Sequence, residues 1–255
     1  MRRNDDPWIE SFRQTAAGWL LGESPPDPIP RAVFLPMENP DVYDDGWIAQ
    51  HATELETCGT LTLGLVNGRR IAFSSPKFGA PAVAMAVDVF AKAGFRSVVG
   101  VGFCGGLQSD VQCGELILPC SAVREEGASR HYAEEGGPAE CSERAAIVAR
   151  ECAERLGIAL RTGPVWTTDG ILRETREKVE RHHSFGCLGV DMETAALYTV
   201  ASVTGLRAAA ILVASDNVYE CMQADLDRLR QGWRSAAALG VALCRELAEE
   251  EATED

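Results

Sequence analysis

The feature that most narrows the fold is a steady alternation of short apolar runs with longer amphipathic ones. Residues 32–35, 97–101, 187–190 and 207–214 are runs of strand length, the last built almost wholly from Ala, Ile, Leu and Val. Residues 80–93, 141–156, 193–203 and 224–249 carry helical periodicity, and Gly94 and Gly157 stand where two of these helices should stop. Strands that are apolar on both faces need a helical layer over each face. Asn67-Gly68, between runs at 60–66 and 70–74, predicts a hairpin. Residues 115–118, 121–123 and 159–165 supply further strands, and 168–183 is polar and helical in character. The fold class expected is α/β, a single-domain α/β/α three-layer fold around a central twisted mixed sheet. It spans 31–250, preceded by an amphipathic lead-in and Pro-rich link at 1–30 and followed by an acidic tail at 251–255.

Charge excludes some functions. Lys and Arg number 24 against 38 Asp and Glu, a formal net charge of −14. Nucleic acid and anionic membrane surfaces both select for basic patches, so neither is an expected partner. The nine cysteines are scattered, with no CxxC pair. An odd, dispersed set fits neither a disulfide framework nor a metal site, and a reducing cytoplasm is the expected setting. No N-terminal leader and no run of about 18 apolar residues is seen, so no membrane span is expected.

Two segments hold the candidate chemistry. In Gly189-Val190-Asp191-Met192-Glu193 two acids sit where a strand gives way to an Ala-rich helix. Such junctions face the ligand cleft of α/β proteins, although the same residues could simply cap a helix over a buried methionine. Gly100-Val101-Gly102-Phe103-Cys104-Gly105 matches GxGxxG. A dinucleotide site needs a helix to follow directly, whereas here a short polar stretch leads into another strand. The glycines read instead as a strand end that lets backbone N–H groups come close to a ligand.

Four segments, in order, resemble the nucleoside phosphorylase superfamily of purine nucleoside and uridine phosphorylases. They are residues 102–108, 123–132, 189–198 and 213–217, and the likeness covers 31 to 245. The resemblance implies that Glu193 accepts hydrogen bonds from the ribose hydroxyls, that Met192 floors the sugar and that Asp191 lies near ribose or base. It implies that Asp216 is the catalytic acid that meets N7 of a purine, which requires a raised pKa. Gly105, Phe103 and Cys104 then fall in the base region. Gly102, Phe103 and Gly100 fall where phosphate or another nucleophile would bind. No cofactor or metal is implied; phosphate is the candidate co-substrate. Relatives assemble as dimers or hexamers, so a homo-oligomer is implied.

The nucleophile half departs from the family pattern. Phosphate-gripping arginines are expected after the first strand, at position 100 and in a stretch before the hairpin. The chain has Leu35-Pro36-Met37-Glu38-Asn39-Pro40-Asp41, Gly100 and Glu54-Leu55-Glu56-Thr57-Cys58 instead. Phe103 stands where a phosphate-contacting Ser or Thr is usual. Related nucleosidases lack these arginines and use water, activated by an acid after the first strand; Glu38 is the first candidate for that base and Asp41 the second. His131 is the histidine best placed for the site, while His182 and His183 read as exposed. Cys104 reads as a small packing residue. Arg173 and Arg176 either read a base or phosphate or lie on a solvated face. The function expected is cleavage of the N-glycosidic bond of a nucleoside, purine favoured, to free base and ribose or ribose 1-phosphate. The rivals are hydrolysis by water, and a catalytically silent nucleoside-binding protein.

Overall fold

The computed structural model describes residues 7–22, 28–38, 47–134, 136–221 and 224–253. The expected three-layer α/β/α architecture is observed. At its centre, β1 (Ala32–Pro36) runs parallel to β4 (Arg69–Ser74) on one side and to β5 (Ser97–Gly106) on the other. Every residue of β1 is buried, as its unbroken apolar sequence requires. The Asn67-Gly68 hairpin joins β3 (Leu61–Val66) to β4 in antiparallel register.

Helices α1 (Pro7–Leu21), α3 (Ala80–Ala93) and α6 (Thr194–Thr204) cover one face of the sheet. Helices α4 (Glu143–Leu156) and α7 (Leu226–Thr253) cover the other. The N-terminal lead-in is thus part of the packed body: Arg13 Nε donates to Asp88 Oδ1 at 2.9 Å, tying α1 to α3. At the far end α7 continues into the acidic tail, through Thr253.

The sheet does more than twist. β5 pairs with β10 (Arg207–Asn217) along its whole length and with β9 (Gly189–Asp191) through Gly105 and Gly106. β10 pairs with β6 (Leu116–Glu125), β6 with β8 (Leu160–Thr168), and β8 with β9. Five strands therefore form a closed circuit, while β1, β4, β3 and β2 (Thr53–Cys58) extend from it as an open wing. β1 stops pairing at Val101 and β9 begins at Gly105, so the glycine run of β5 is where one neighbour replaces another.

Some expectations shift. Residues 115–118 and 121–123 belong to one strand, β6, whose register slips between Pro119 and Ser121 because proline offers no N–H to the ladder. β6 also pairs with the short β7 (Ala139–Glu140). β2 and the short helix α2 (Trp47–His51) were not legible; β2 is exposed along nearly all its length and shows no apolar alternation. The polar stretch after β8 forms a tight turn at Ile171–Arg173 and then α5 (Arg176–Ser184). His182 on α5 is fully buried, its ring stacked on Trp166 with centroids 4.2 Å apart. His183 is half-buried, stacked on Tyr219 at 3.8 Å. Both readings as exposed histidines are corrected: each ring finds an aromatic face, which the charge of the surrounding sequence hides. Among the described residues no helix is long and apolar enough to cross a membrane.

Candidate active site

Asp216 lies across the glycine end of β5, and Glu193 follows β9, the strand that pairs with that same end. The junction between β9 and α6 is built by Asp191. One of its oxygens accepts from the Thr167 hydroxyl at 2.6 Å. The other accepts from the Thr194 backbone at 2.8 Å, from the Thr194 hydroxyl and from the Glu193 backbone at 3.3 Å. Both carboxylate oxygens of Asp191, expected near the ribose or base, accept hydrogen bonds from the protein. Asp191 ties β8 to the first turn of α6 and thereby aims the next acid. Burial raises its pKa, and these donors pull against that rise.

Glu193 is 5% exposed. Oε1 accepts the Gly79 N–H at 2.7 Å, at the start of α3, and Oε2 accepts the Met192 N–H at 3.2 Å. Burial, then the neighbouring Asp191 and more weakly Glu38, push its pKa up to about 9. Both causes hold the side chain toward its neutral form in the ligand-free protein. Met192 is half-buried beside it.

Asp216, expected on the base side, lies on β10. β10 carries an irregularity between Ala214 and Asp216 that sets Asp216 opposite Gly105. A Cβ on Gly105 would lie 2.4 Å from Val218 Cγ2 and 3.1 Å from Asp216 Oδ1, so the strand must be bare here for the acid to lie across it. Asp216 Oδ1 is buried with no hydrogen-bond partner among the described residues. Burial raises its pKa, and the adjacent Ser215 offsets part of the rise. Glu174, just after the turn at Ile171–Arg173, is pushed up to about 7, first by burial and then by the charge of Asp216.

The nucleophile side is filled differently from the family pattern. Met37, 1% exposed, lies across Gly100 and Gly102. A Cβ at Gly100 would sit 2.8 Å from Met37 Sδ and 2.8 Å from Leu197 Cδ2, and one at Gly102 would sit 3.0 Å from Met37 Cβ. No arginine stem can leave β5 at position 100 while Met37 keeps this place. Glu38 follows, half-buried, its pKa raised by burial. Asp41, the second candidate base, lies outside the described residues.

Phe103, expected at the base or phosphate, is half-buried, and its ring lies 5.5 Å from Trp233 of α7, against the core on that face of the sheet. Cys104 is 3% exposed, with Sγ 2.8 Å from where a Cβ of Gly189 would be. Burial, then Asp191 and Asp216, drive its thiol pKa well up, so it packs and does not attack.

Arg173 and Arg176 are exposed, and Arg176 is paired with Glu180 at 2.7 Å. His131 is exposed at the lip of a cavity of about 420 Å³ that also touches Pro81, Gly127 and Asp169. A larger space of about 770 Å³ opens by Gly114, Arg161 and Arg228, but it contains none of the acids described above. Two contributors were missed in the sequence: Thr167 carries Asp191, and Gly79 meets Glu193. The available signal was Gly79-Ala80-Pro81, a glycine before a proline in the first turn of a helix.

Comparisons with known proteins point the same way. Residues 40–247 match the family model described as the phosphorylase superfamily. A guanosine phosphorylase from Halorubrum lacusprofundi is 29% identical over 161 residues, covering 63% of this chain and 67% of that protein. A DeoD-type purine nucleoside phosphorylase from Alkaliphilus metalliredigens is 31% identical over 157 residues, 61% of this chain and 67% of that one. The crystal structure of uridine phosphorylase from Vibrio fischeri ES114 is similar at a TM-score of 0.77 and 26% identity, over 86% of this chain and 94% of that one. On the fold, the ordered segments and a family match across most of its length, this chain is a member of the phosphorylase superfamily of enzymes.

Proposed function

We propose that this enzyme cleaves the N-glycosidic bond of a purine nucleoside, with Glu193 holding the ribose hydroxyls and Asp216 supplying the proton to the departing base. The observation that carries this is the Asp216 carboxyl, with Oδ1 buried and unpartnered over Gly105 and its pKa raised by burial. An acid held toward its neutral form can donate to N7 as the base leaves. The names of two relatives, a guanosine and a purine nucleoside phosphorylase, support a purine.

Glu193 serves the sugar. In the free protein its proton compensates for burial beside Asp191. Hydroxyl donors arriving at its oxygens favour the carboxylate, so sugar binding and ionisation go together. An ionised Glu193 then holds negative charge beside the cation that grows on the ribose ring.

A second reading, attack by water, has its own support. Met37 covers the position from which the family arginine would reach phosphate, and Glu38 follows it, half-buried and made more basic by burial. A carboxylate of raised pKa is a competent general base for water. The setting we propose is the cytoplasm, which the nine free cysteines support. Exposed Trp8, Phe12 and Trp19 on α1 support a homo-oligomer, dimer or hexamer.

The test is incubation with adenosine, inosine, guanosine and uridine, with and without inorganic phosphate, reading both the free base and the sugar product. Purine release with ribose 1-phosphate supports phosphorolysis. Purine release with free ribose in phosphate-free buffer supports water. Cleavage of uridine alone overturns the purine assignment, and no base release under any condition overturns catalysis in favour of a silent binding protein.

A further inference from the structure

Cys120 and Cys141 have no part in the chemistry above, yet the sheet sets them against each other. β6 and β7 are antiparallel, with Ser121 opposite Glu140 and Ala122 opposite Ala139. The same register sets Cys120 opposite Cys141, and the Cys141 N–H donates to the Cys120 carbonyl at 3.0 Å. Directly opposed residues of antiparallel strands share one face of the sheet, with Cα atoms about 4.5–5.5 Å apart. A disulfide spans Cα separations of about 4.4–6.8 Å. Both cysteines are free and half-buried. Cys120 also stands where β6 slips against β8, between Pro119 and Ser121. As the extra residue of that bulge it has no β8 partner to lose when it moves.

We propose that Cys120 and Cys141 are a site of oxidative modification, closing to a disulfide when hydrogen peroxide reaches them. Burial pushes the Cys141 thiol up to about 11, so Cys120 is the sulfur that reacts first. It attacks one peroxide oxygen, the O–O bond breaks, and one water leaves behind a sulfenic acid. The Cys141 sulfur then attacks the Cys120 sulfur, the S–O bond breaks, and the hydroxyl departs with the Cys141 proton as a second water. Two thiols are oxidised and one peroxide is reduced to two waters. Before the bond closes, Cys141 Sγ must leave the Ala208 carbonyl, which it meets at 3.4 Å.

The bond would fix the neck of the segment between the two cysteines. That segment carries Gly127, His131 and Tyr132, which line the cavity of about 420 Å³ opposite Pro81 and Met85 of α3. Arg124 already gathers its interior, bonded to the Ser129 hydroxyl and the Ala133 carbonyl at 2.9 Å each, so the neck is the part left to restrain. Oxidation therefore stiffens one wall of that cavity, and thiols undo it.

The experiment uses the full chain carrying Cys221→Ser, which removes an exposed thiol that would crosslink copies. It is treated with hydrogen peroxide, alkylated, digested and read by mass spectrometry, with thermal melts before and after dithiothreitol. A linked peptide joining Cys120 to Cys141 is expected. The oxidised protein should melt about 6–12 °C above the same sample after dithiothreitol, since the bond closes a loop in the unfolded chain. Adding Cys120→Ser should abolish both the peptide and the gain while leaving the reduced melt in place. Adding Cys141→Ser should instead leave a sulfenic acid on Cys120 that dimedone labels. Absence of the linked peptide overturns the proposal. So does a bond from Cys120 to the buried Cys187, or a Cys120–Cys141 bond with no gain in melting temperature.

Discussion

Replacing Glu193 by glutamine should make the ligand-free protein more stable, and increasingly so as pH rises. Glu193 ionises near 4.5 in an unfolded chain and near 9 in the fold, because burial and Asp191 oppose its charge. Between those values the folded protein keeps a proton that the unfolded chain has lost. Its contribution to stability is therefore full below about pH 4.5 and declines until about pH 9, at about 1.4 kcal/mol per pH unit. From about pH 5 to about pH 8 the ceiling is about 4 kcal/mol; sharing of the proton with Asp191 and local relaxation bring the working figure to about 2 kcal/mol. Glutamine keeps the acceptor for the Gly79 N–H, which Glu193 takes at 2.7 Å, and carries no charge. Any fixed penalty from its amide facing the Met192 N–H cancels when the two pH values are compared. Thermal melts of both proteins supply the assay. At about 2–4 °C per kcal/mol for a chain this long, the gain of Glu193→Gln over the native protein should be about 4–8 °C larger at the higher pH. A difference that does not grow with pH means that the carboxylate is ionised in the ligand-free fold, and the reasoning fails. Activity should fall in the same variant, as expected when a side chain kept for function opposes stability.

Three other substitutions separate the roles assigned above. Asp216→Asn should slow base release by about 10²–10⁴-fold while changing base affinity little, measured by single-turnover kinetics and calorimetry; an equal loss in both would deny it an acid's role. Gly100→Ala should cost about 1–3 kcal/mol in urea unfolding, since its Cβ would meet Met37 and Leu197 at 2.8 Å; a neutral result would mean that Met37 yields easily. Thr167→Val takes the 2.6 Å donor from buried Asp191 and the acceptor of the Ala195 N–H at 3.0 Å, and should cost at least about 1–3 kcal/mol in the same measurement.

The layers were legible because strands apolar on both faces admit few arrangements. The glycine stops were legible too: Gly94 and Gly157 adopt φ of 103° and 64°, where a side chain is strained. The closed circuit was not, since two residue pairs between β5 and β9 complete it and no local pattern marks them. Around the site, Glu193 and Asp216 could be matched by motif, but Phe103 could not be placed without knowing which core it packs against. The burial of His182 depends on Trp166, and the pKa of Glu174 is raised by burial and then by Asp216; each partner lies on a different element. A sequence pattern reports which residues share a face, and these relations join faces of separate elements.

The closed circuit of strands also bears on how the protein avoids sticking to itself. Strands β5, β6, β8, β9 and β10 satisfy one another around the ring, so the wing is left to end in β2. That strand is short and irregular in register between Thr53 and Glu56, and it carries Glu54 and Glu56, the latter paired with Arg70 at 2.7 Å. Charge and a broken ladder make it a poor template for a further strand. A chain with this much β structure is thereby protected against edge-to-edge aggregation at the terminus of its wing, and neutralising Glu54 and Glu56 would remove that protection.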